Sequence, residues 1–365
     1  MRVPPSLRRS GPLRPRPVVV NEVQRYGYAE LTGWCRSTLA ACGVPEEEAG
    51  LAADVLVQTD ARGYHTHGLS RIPSYLDRIT SGEVCATARI DERREDGLTV
   101  FDAHFALGQV SGPRIIDRLV ERTREAPFAL SILRDNGHLG ALGILVLRAA
   151  QMGRVALMLQ ATPPVIGLPG ATGPMLGNNP IALAAPRPGG DPIVVDMACS
   201  VAARGNIILA AKAGRPIPEG WAMDAAGQPT TDAAAALDGV LLPFGGHKGM
   251  MLSVIVEVLA GSLSGRAFRD SLGGAGASGG PGGLNALLLV LNPDLTTGRA
   301  AYEGHVAAWV QHFKNNGGPS ARLPGERAAL AEREARRLGV PLAGDVTAPL
   351  VRLGRERSLP FPDPA

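Results

Sequence analysis

Gly274-Ala275-Gly276-Ala277-Ser278-Gly279 has the spacing G-x-G-x-x-G. In a dinucleotide fingerprint that spacing follows a strand, opens a helix and precedes an acid about twenty residues on. Here the polar segment Arg266–Asp270 comes before it and Pro281 after it. From Gly273 to Gly283 the chain holds only Gly, Ala, Ser and Pro. That composition is a flexible surface loop, not a phosphate cradle. The glycine run is therefore not a dinucleotide fingerprint, any nicotinamide cofactor must be held some other way, and the fold has to be read from the segments around it.

Before the loop, Met250 to Leu263 is apolar on nearly all sides, which predicts a buried helix. After it, Leu287–Leu291 reads as a strand. Further short β-rich runs lie at Leu98–Phe101, Phe128–Leu133, Val155–Leu159 and Ile193–Val195. Helical spacing separates them near 111–125, 139–152, 201–213 and 247–264. Strands alternating with helices predict an α/β layer structure. The start is helical, over 22–43, from Pro45 to about Asp60, and from Ser70 to Ile79, with 61–68 as a turn. Pro45 followed by Glu46, Glu47 and Glu48 is a good helix start. The end is helical again, near 300–313, 325–337 and 346–356. Helical ends around an α/β middle predict that residues 21–110 pack with 296–365, and that 111–295 form an inserted domain with a cleft between the two.

With 365 residues, 45% of them hydrophobic, the chain can bury a sizeable core. A net charge of +3 excludes a strong nucleic-acid field. No long uncharged apolar run suggests a membrane span. Cys35, Cys42, Cys85 and Cys199 form no C-x-x-C pair, which fits a reduced, cytoplasmic protein. Residues 1–20 begin with an Arg- and Pro-rich stretch and read as a disordered tail or a mis-assigned start rather than a targeting segment.

Four constellations could carry chemistry. Arg62-Gly63-Tyr64-His65-Thr66-His67-Gly68-Leu69-Ser70-Arg71 crowds two histidines, a hydroxyl and arginines into a turn. Histidine can move a proton near neutral pH, and arginine can clamp a carboxylate through two bonds. The plainer reading is a helix-capping histidine beside solvated arginines. Asn136-Gly137-His138-Leu139-Gly140 sits between a predicted strand and helix, where glycines let a ligand approach the backbone. Asp196-Met197-Ala198 ends a strand, where sites gather, although Asp also favours a helix N-cap. Gly245-Gly246-His247-Lys248-Gly249 precedes a helix and suits an anion. His65 and His67 also raise a zinc reading, with a water activated for hydrolysis. An H-x-H pair reaches one ion most naturally from an extended strand, however, and this pair lies in a turn.

In this order the four constellations resemble the malate/L-lactate/ureidoglycolate dehydrogenase family, which lacks a Rossmann fold. Gly177-Asn178-Asn179-Pro180-Ile181-Ala182, Ile217-Pro218-Glu219-Gly220-Trp221-Ala222, Pro229-Thr230-Thr231-Asp232 and Arg322-Leu323-Pro324-Gly325-Glu326 extend the likeness over about 22–357. The resemblance implies an α/β fold, a mixed β-sheet with flanking helices, whose N- and C-terminal helical parts pack together. It implies a homodimer and NADH or NADPH as cofactor. The substrate would be a small 2-oxo acid, or a cyclic imino acid of the piperideine or pyrroline-2-carboxylate type. His67 matches the proton donor and Arg71 a carboxylate holder, with Thr66 beside them. His138 matches the histidine assigned acid/base work in ureidoglycolate dehydrogenases. Asp196, Met197, Ala198, Lys248, Gly249, Pro324, Gly325 and Glu326, with Ala161 and Thr162, match cofactor positions, and no metal is implied.

The chain also departs from the family. The usual His-Asp-Ser-His-Gly is here Tyr64-His65-Thr66-His67-Gly68. A cation at His65 would lower the pKa of His67. A cofactor-binding serine of some relatives falls at Ala161, Asn206 replaces a common Lys, and Leu284-Asn285-Ala286 replaces Gly-His-Phe. A catalytically inactive relative that still binds cofactor is the remaining alternative.

Overall fold

The structure is a computed structural model that describes residues 23–95, 97–266, 268 and 283–365. All of the proposed tail, residues 1–20, and all of Gly274–Gly279 lie outside the described residues.

The chain opens with a strand, β1 (Val23–Tyr26), and three helices, α1 (Tyr28–Ala40), α2 (Glu46–Ala61) and α3 (Ile72–Thr80). The middle begins with β2 (Asp91–Glu95), β3 (Leu98–Asp102), α4 (Gly108–Arg122), β4 (Phe128–Asn136), α5 (Leu142–Gln151) and β5 (Val155–Ala161). Short strands follow: β6 (Pro164–Ile166), β7 (Leu176–Gly177), β8 (Ile181–Ala185) and β9 (Ile193–Met197). Then come α6 (Arg204–Lys212), β10 (Ala222–Met223), β11 (Pro229–Thr230), α7 (Ala233–Asp238) and β12 (Val240–Leu241). The chain continues with α8 (His247–Val256), β13 (Leu284–Leu291), α9 (Pro293–Thr296) and α10 (Arg299–Gly317), and ends with α11 (Glu326–Leu338), β14 (Val340–Ala343) and α12 (Gly344–Glu356).

The central sheet has the order β2-β3-β4-β13-β5-β8-β9. Only β3 and β4 pair in parallel, and every other neighbour is antiparallel. This is a mixed sheet without the all-parallel core of a Rossmann fold. Side chains alternate between its faces. On β5, Ala156 and Met158 join the core under α4 and α5, whereas Leu159 and Ala161 join the core under α8 and its continuation. A smaller sheet, β11-β10-β12-β6-β7, flanks this layer.

The two ends of the chain share one core. Leu31, Leu56, Ile72 and Leu76 from the start pack with Val340, Leu350 and Phe361 from the end. A buried ion pair reinforces the joint: Arg62 Nη1 donates to Glu332 Oε2 at 2.7 Å, from the end of α2 to α11. α10 packs elsewhere, with Val306 against Ile193 and Leu323.

Two helices differ from their sequence expectation. Residues 23–26, read as the start of a helix, form β1, because β14 pairs with it antiparallel from Val23↔Ala343 to Tyr26↔Val340. A long-range partner outweighs local spacing there. The apolar helix at Met250–Leu263 is not buried on all sides. Met250, Ser253, Val256 and Ala260 face the sheet, but Met251, Val254, Ile255, Val258 and Leu263 are exposed. The sheet covers one side of this helix and no described residue covers the other.

Candidate active site

The turn between α2 and α3 is fixed by Asp60, which is fully buried. Its Oδ1 accepts from His65 Nδ1 at 2.9 Å and its Oδ2 from the Leu69 amide at 2.6 Å. Gly63, at φ 85°, makes the reversal out of the helix. A Cβ on Gly68 would stand 2.2 Å from Asp60 Oδ2, so that position also requires glycine. The Asp60 carboxylate pulls the His65 pKa up, against its partial burial. His65 is thus paired, and the fall in the His67 pKa, to about 4, comes from burial and then from Arg71. The expectation that His65 lowers His67 is corrected on this point.

His67 and His138 meet across the cleft. Their ring centroids are 5.8 Å apart and the planes are 24° from parallel. Thr66 Oγ1 and His67 Nδ1 lie 2.8 Å apart. His138 stands on the loop after β4, which runs close over the start of α4. A Cβ on Gly108 would meet the His138 carbonyl oxygen at 2.2 Å, and one on Gly137 would meet the Ala106 carbonyl oxygen at 2.5 Å. Burial, then the nearby His67, Arg71 and Arg78, pulls the His138 pKa well down. Arg71 donates from Nε to the Thr66 carbonyl at 2.7 Å, and its terminal nitrogens have no hydrogen-bond partner among the described residues.

Thr66, His67 and His138 open on a cleft of about 470 Å³, a size suited to small ligands, and Arg71 is not part of its lining. Tyr64, His65, Thr66, His67, His138, Thr162, Asp196, Met197 and Ala198 line it. Asp196 reaches across from the end of β9, and its Oδ2 accepts from the Gly143 amide at 2.7 Å. It therefore caps the first turn of α5, a helix far from it in sequence. Burial pushes its carboxyl up to about 6, against the pull of that amide.

Other expected residues lie apart from the cleft lining. Ala161 points to the opposite face of the sheet, beside a second cavity of about 300 Å³. Lys248 is exposed at the start of α8, with no partner among the described residues, and Gly249 is buried against the Phe244 and Cys199 backbone. The Pro324 carbonyl accepts from the Val194 amide, and Gly325 packs on Val194. Glu326 is held by Lys314 at 2.5 Å and by Arg187 at 3.0 Å. The zinc reading finds no ligand set: His65 and His67 take different partners, and no cluster of three or more metal-ligating side chains occurs among the described residues.

Sequence reasoning missed Asp60, Tyr75, Gln109 and Gln160. Tyr75 Oη lies 2.8 Å from His138 Nδ1, and Gln109 Nε2 lies 2.9 Å from Tyr75 Oη. Gln160 is buried, lines the cleft, and has no partner for its Nε2. A polar residue ending the apolar run of β5 was the signal for Gln160. Tyr75 and Gln109 gave no comparable signal.

The malate/L-lactate dehydrogenase family model matches residues 26–351. The chain is 36% identical to a (2R)-3-sulfolactate dehydrogenase (NADP(+)) of Chromohalobacter salexigens, over 82% of this chain and 89% of that one. It is 34% identical to a Delta(1)-pyrroline-2-carboxylate reductase of Ancylobacter novellus, over 92% and 99%. The solved malate dehydrogenase of Pyrococcus horikoshii superposes with a TM-score of 0.82 at 28% identity, over 93% and 97%. The chain belongs to the malate/L-lactate dehydrogenase family of nicotinamide-dependent oxidoreductases.

Proposed function

We propose that the chain reduces C2 of a small 2-oxo acid to the 2-hydroxy acid with NADH or NADPH, as a cytoplasmic homodimer. The observation that carries this reading is the pair of facing histidines, His67 and His138, in a cleft beside the open guanidinium of Arg71. Arg71 holds the substrate carboxylate, so that the carbonyl presents one face. The reduced nicotinamide, when bound, supplies the hydride. His67 gives a proton to the oxygen, with Thr66 steadying its ring, and His138 stands opposite. Residues 21–110 with 296–365 supply these groups, except His138, and residues 111–295 supply most of the cofactor contacts.

The cleft fits a nicotinamide in one specific respect. Gln160 brings a buried amide donor with no partner, beside Thr162, Asp196, Met197 and Ala198. Lys248, exposed and without a side-chain partner among the described residues, is assigned to a phosphate, next to Gly249, and Pro324, Gly325 and Glu326 are assigned to the rest of the cofactor, whereas Ala161, on the opposite face of the sheet, is set aside. The homodimer reading is supported by the uncovered apolar side of α8, and the compartment by four free cysteines.

A cyclic imino acid is the second reading, and the depressed His67 favours it. A protonated imine carries its own proton, so hydride addition at C2 yields the neutral amine without an acid.

The test follows the absorbance of reduced nicotinamide with purified protein. NADH and NADPH are each paired with pyruvate, oxaloacetate, 2-oxoglutarate, 3-sulfopyruvate, pyrroline-2-carboxylate and piperideine-2-carboxylate. Turnover with one oxo acid supports the first reading, and turnover with the imines alone supports the second. Cofactor binding without any turnover would mark an inactive relative.

A further inference from the structure

Gln109, Tyr75 and His138 form a chain of hydrogen bonds behind the cleft. Gln109 and Tyr75 are 0% and 3% exposed, so these contacts are shielded from bulk water. Gln109 Nε2 faces two oxygens: Tyr75 Oη at 2.9 Å and the His138 carbonyl oxygen at 3.1 Å. A carbonyl oxygen only accepts, so the Gln109 atom against it must be the amide nitrogen. The swapped amide would set oxygen against oxygen and leave two N–H groups buried without acceptors. The observed orientation leaves only the Gln109 Oε1 unpaired.

The protons then follow. The two hydrogens on Gln109 Nε2 serve its two contacts. Tyr75 Oη accepts one of them, and the single Tyr75 hydroxyl hydrogen is directed to its other partner, His138 Nδ1, at 2.8 Å. A ring nitrogen that accepts carries no hydrogen, so the hydrogen of neutral His138 is on Nε2. That nitrogen has no protein partner among the described residues, and its ring lines the cleft. The cations near the ring, Arg71 and Arg78, oppose a second proton, as would a protonated His67.

His67 is built differently. Its Nδ1 partner is the Thr66 hydroxyl, which has no other hydrogen bond among the described residues and can turn to donate or to accept. His67 can gain or lose a hydrogen without losing that bond, whereas a hydrogen on His138 Nδ1 would turn the Tyr75 hydrogen away from its acceptor.

We propose that Tyr75 and Gln109 are positioning residues that lock His138 as the Nε2–H tautomer. His138 then gives a fixed hydrogen bond to a substrate oxygen, and proton transfer falls to His67. The division of labour rests on the reduction proposed above, whereas the tautomer does not.

The test is nuclear magnetic resonance on full-length protein labelled with nitrogen-15 histidine. His138 is assigned by the signals missing from His138→Gln. The expected result is an unprotonated Nδ1 and a protonated Nε2, both unmoved from about pH 6 to about pH 8. A protonated Nδ1, or titration within that window, overturns the proposal. This readout needs no substrate, so it stands apart from any failure of the activity assay. In Tyr75→Phe the two tautomers should mix, and kcat should fall about tenfold with cofactor affinity unchanged. A folded Tyr75→Phe protein with wild-type tautomer and kcat would also overturn it. If that variant does not fold, the wild-type spectrum decides.

Discussion

The Asp60 carboxylate lies 2.9 Å from His65 Nδ1, and Asp60 is fully buried whereas His65 reaches the cleft. His65 stands where the family usually carries aspartate. A second carboxylate there would face Asp60 across a hydrogen-bond distance, so histidine at this position complements the buried acid. His65→Leu removes the partner and should cost about 2 kcal/mol in chemical denaturation, discounted for the partial exposure of the ring. Asp60 raises the His65 pKa above its ordinary 6.5. Burial raises the Asp60 carboxyl as well, so the pair is charged only between the two titrations, and on the alkaline side its contribution is lost as pH rises through the raised His65 value. The gap between wild type and His65→Leu should narrow at alkaline pH. A gap that widens there would remove the ion pair from the account.

His67 titrates at about 4 because burial, and then Arg71, disfavours its charged form. At neutral pH the free ring is a base without its proton. For a 2-oxo acid, kcat/KM in the reducing direction should fall about tenfold per unit of pH above that value, since kcat/KM reports the free enzyme. In the oxidising direction the unprotonated ring is already the form required, and the same range should be flat. Steady-state profiles run both ways check this. A flat reducing limb would take the proton-donor role from His67.

Much of the central sheet was legible because its strands are short apolar runs bounded by turn residues. Phe128–Leu133 and Leu287–Leu291 read as strands and lie inside β4 and β13. β2 was not legible: Asp91–Glu95 is wholly exposed and charged, and only pairing with β3 makes it a strand. β1 was hidden for the opposite reason, since its partner β14 lies near the other end of the chain. In the site, the histidines were visible through their glycine neighbours. Tyr75 and Gln109 were not, because a buried tyrosine and glutamine inside helices look like ordinary core positions until their hydrogen bonds are seen.

Asp196 couples the end of β9 to the first turn of α5, and burial holds its carboxyl at about 6. A folded value above the unfolded one means that the folded state favours the protonated form. The associated stability is whole below about pH 4 and is lost as pH climbs through about 6. Asp196→Asn keeps an acceptor for the Gly143 amide but cannot titrate. Its stability relative to wild type should rise across that interval by about 1–3 kcal/mol. Urea denaturation at a series of pH values reads this difference, and a constant offset between the two proteins would show that Asp196 titrates normally.

Met251, Val254, Ile255 and Val258 follow one another at helical spacing on the uncovered side of α8 and its continuation. Met251 is 61% exposed and Val258 50%, although the opposite side of the same helix is packed on the sheet. A continuous apolar ridge left open to water favours association, and a symmetric pairing of two copies would cover both ridges at once. Ile255→Glu places a charge on the ridge without touching the core beneath it. In light scattering the wild type should have the mass of two chains, and the variant should shift toward one chain while keeping its circular dichroism. A wild-type protein with the mass of one chain would sink the dimer. A variant that stays dimeric would move the contact to another face.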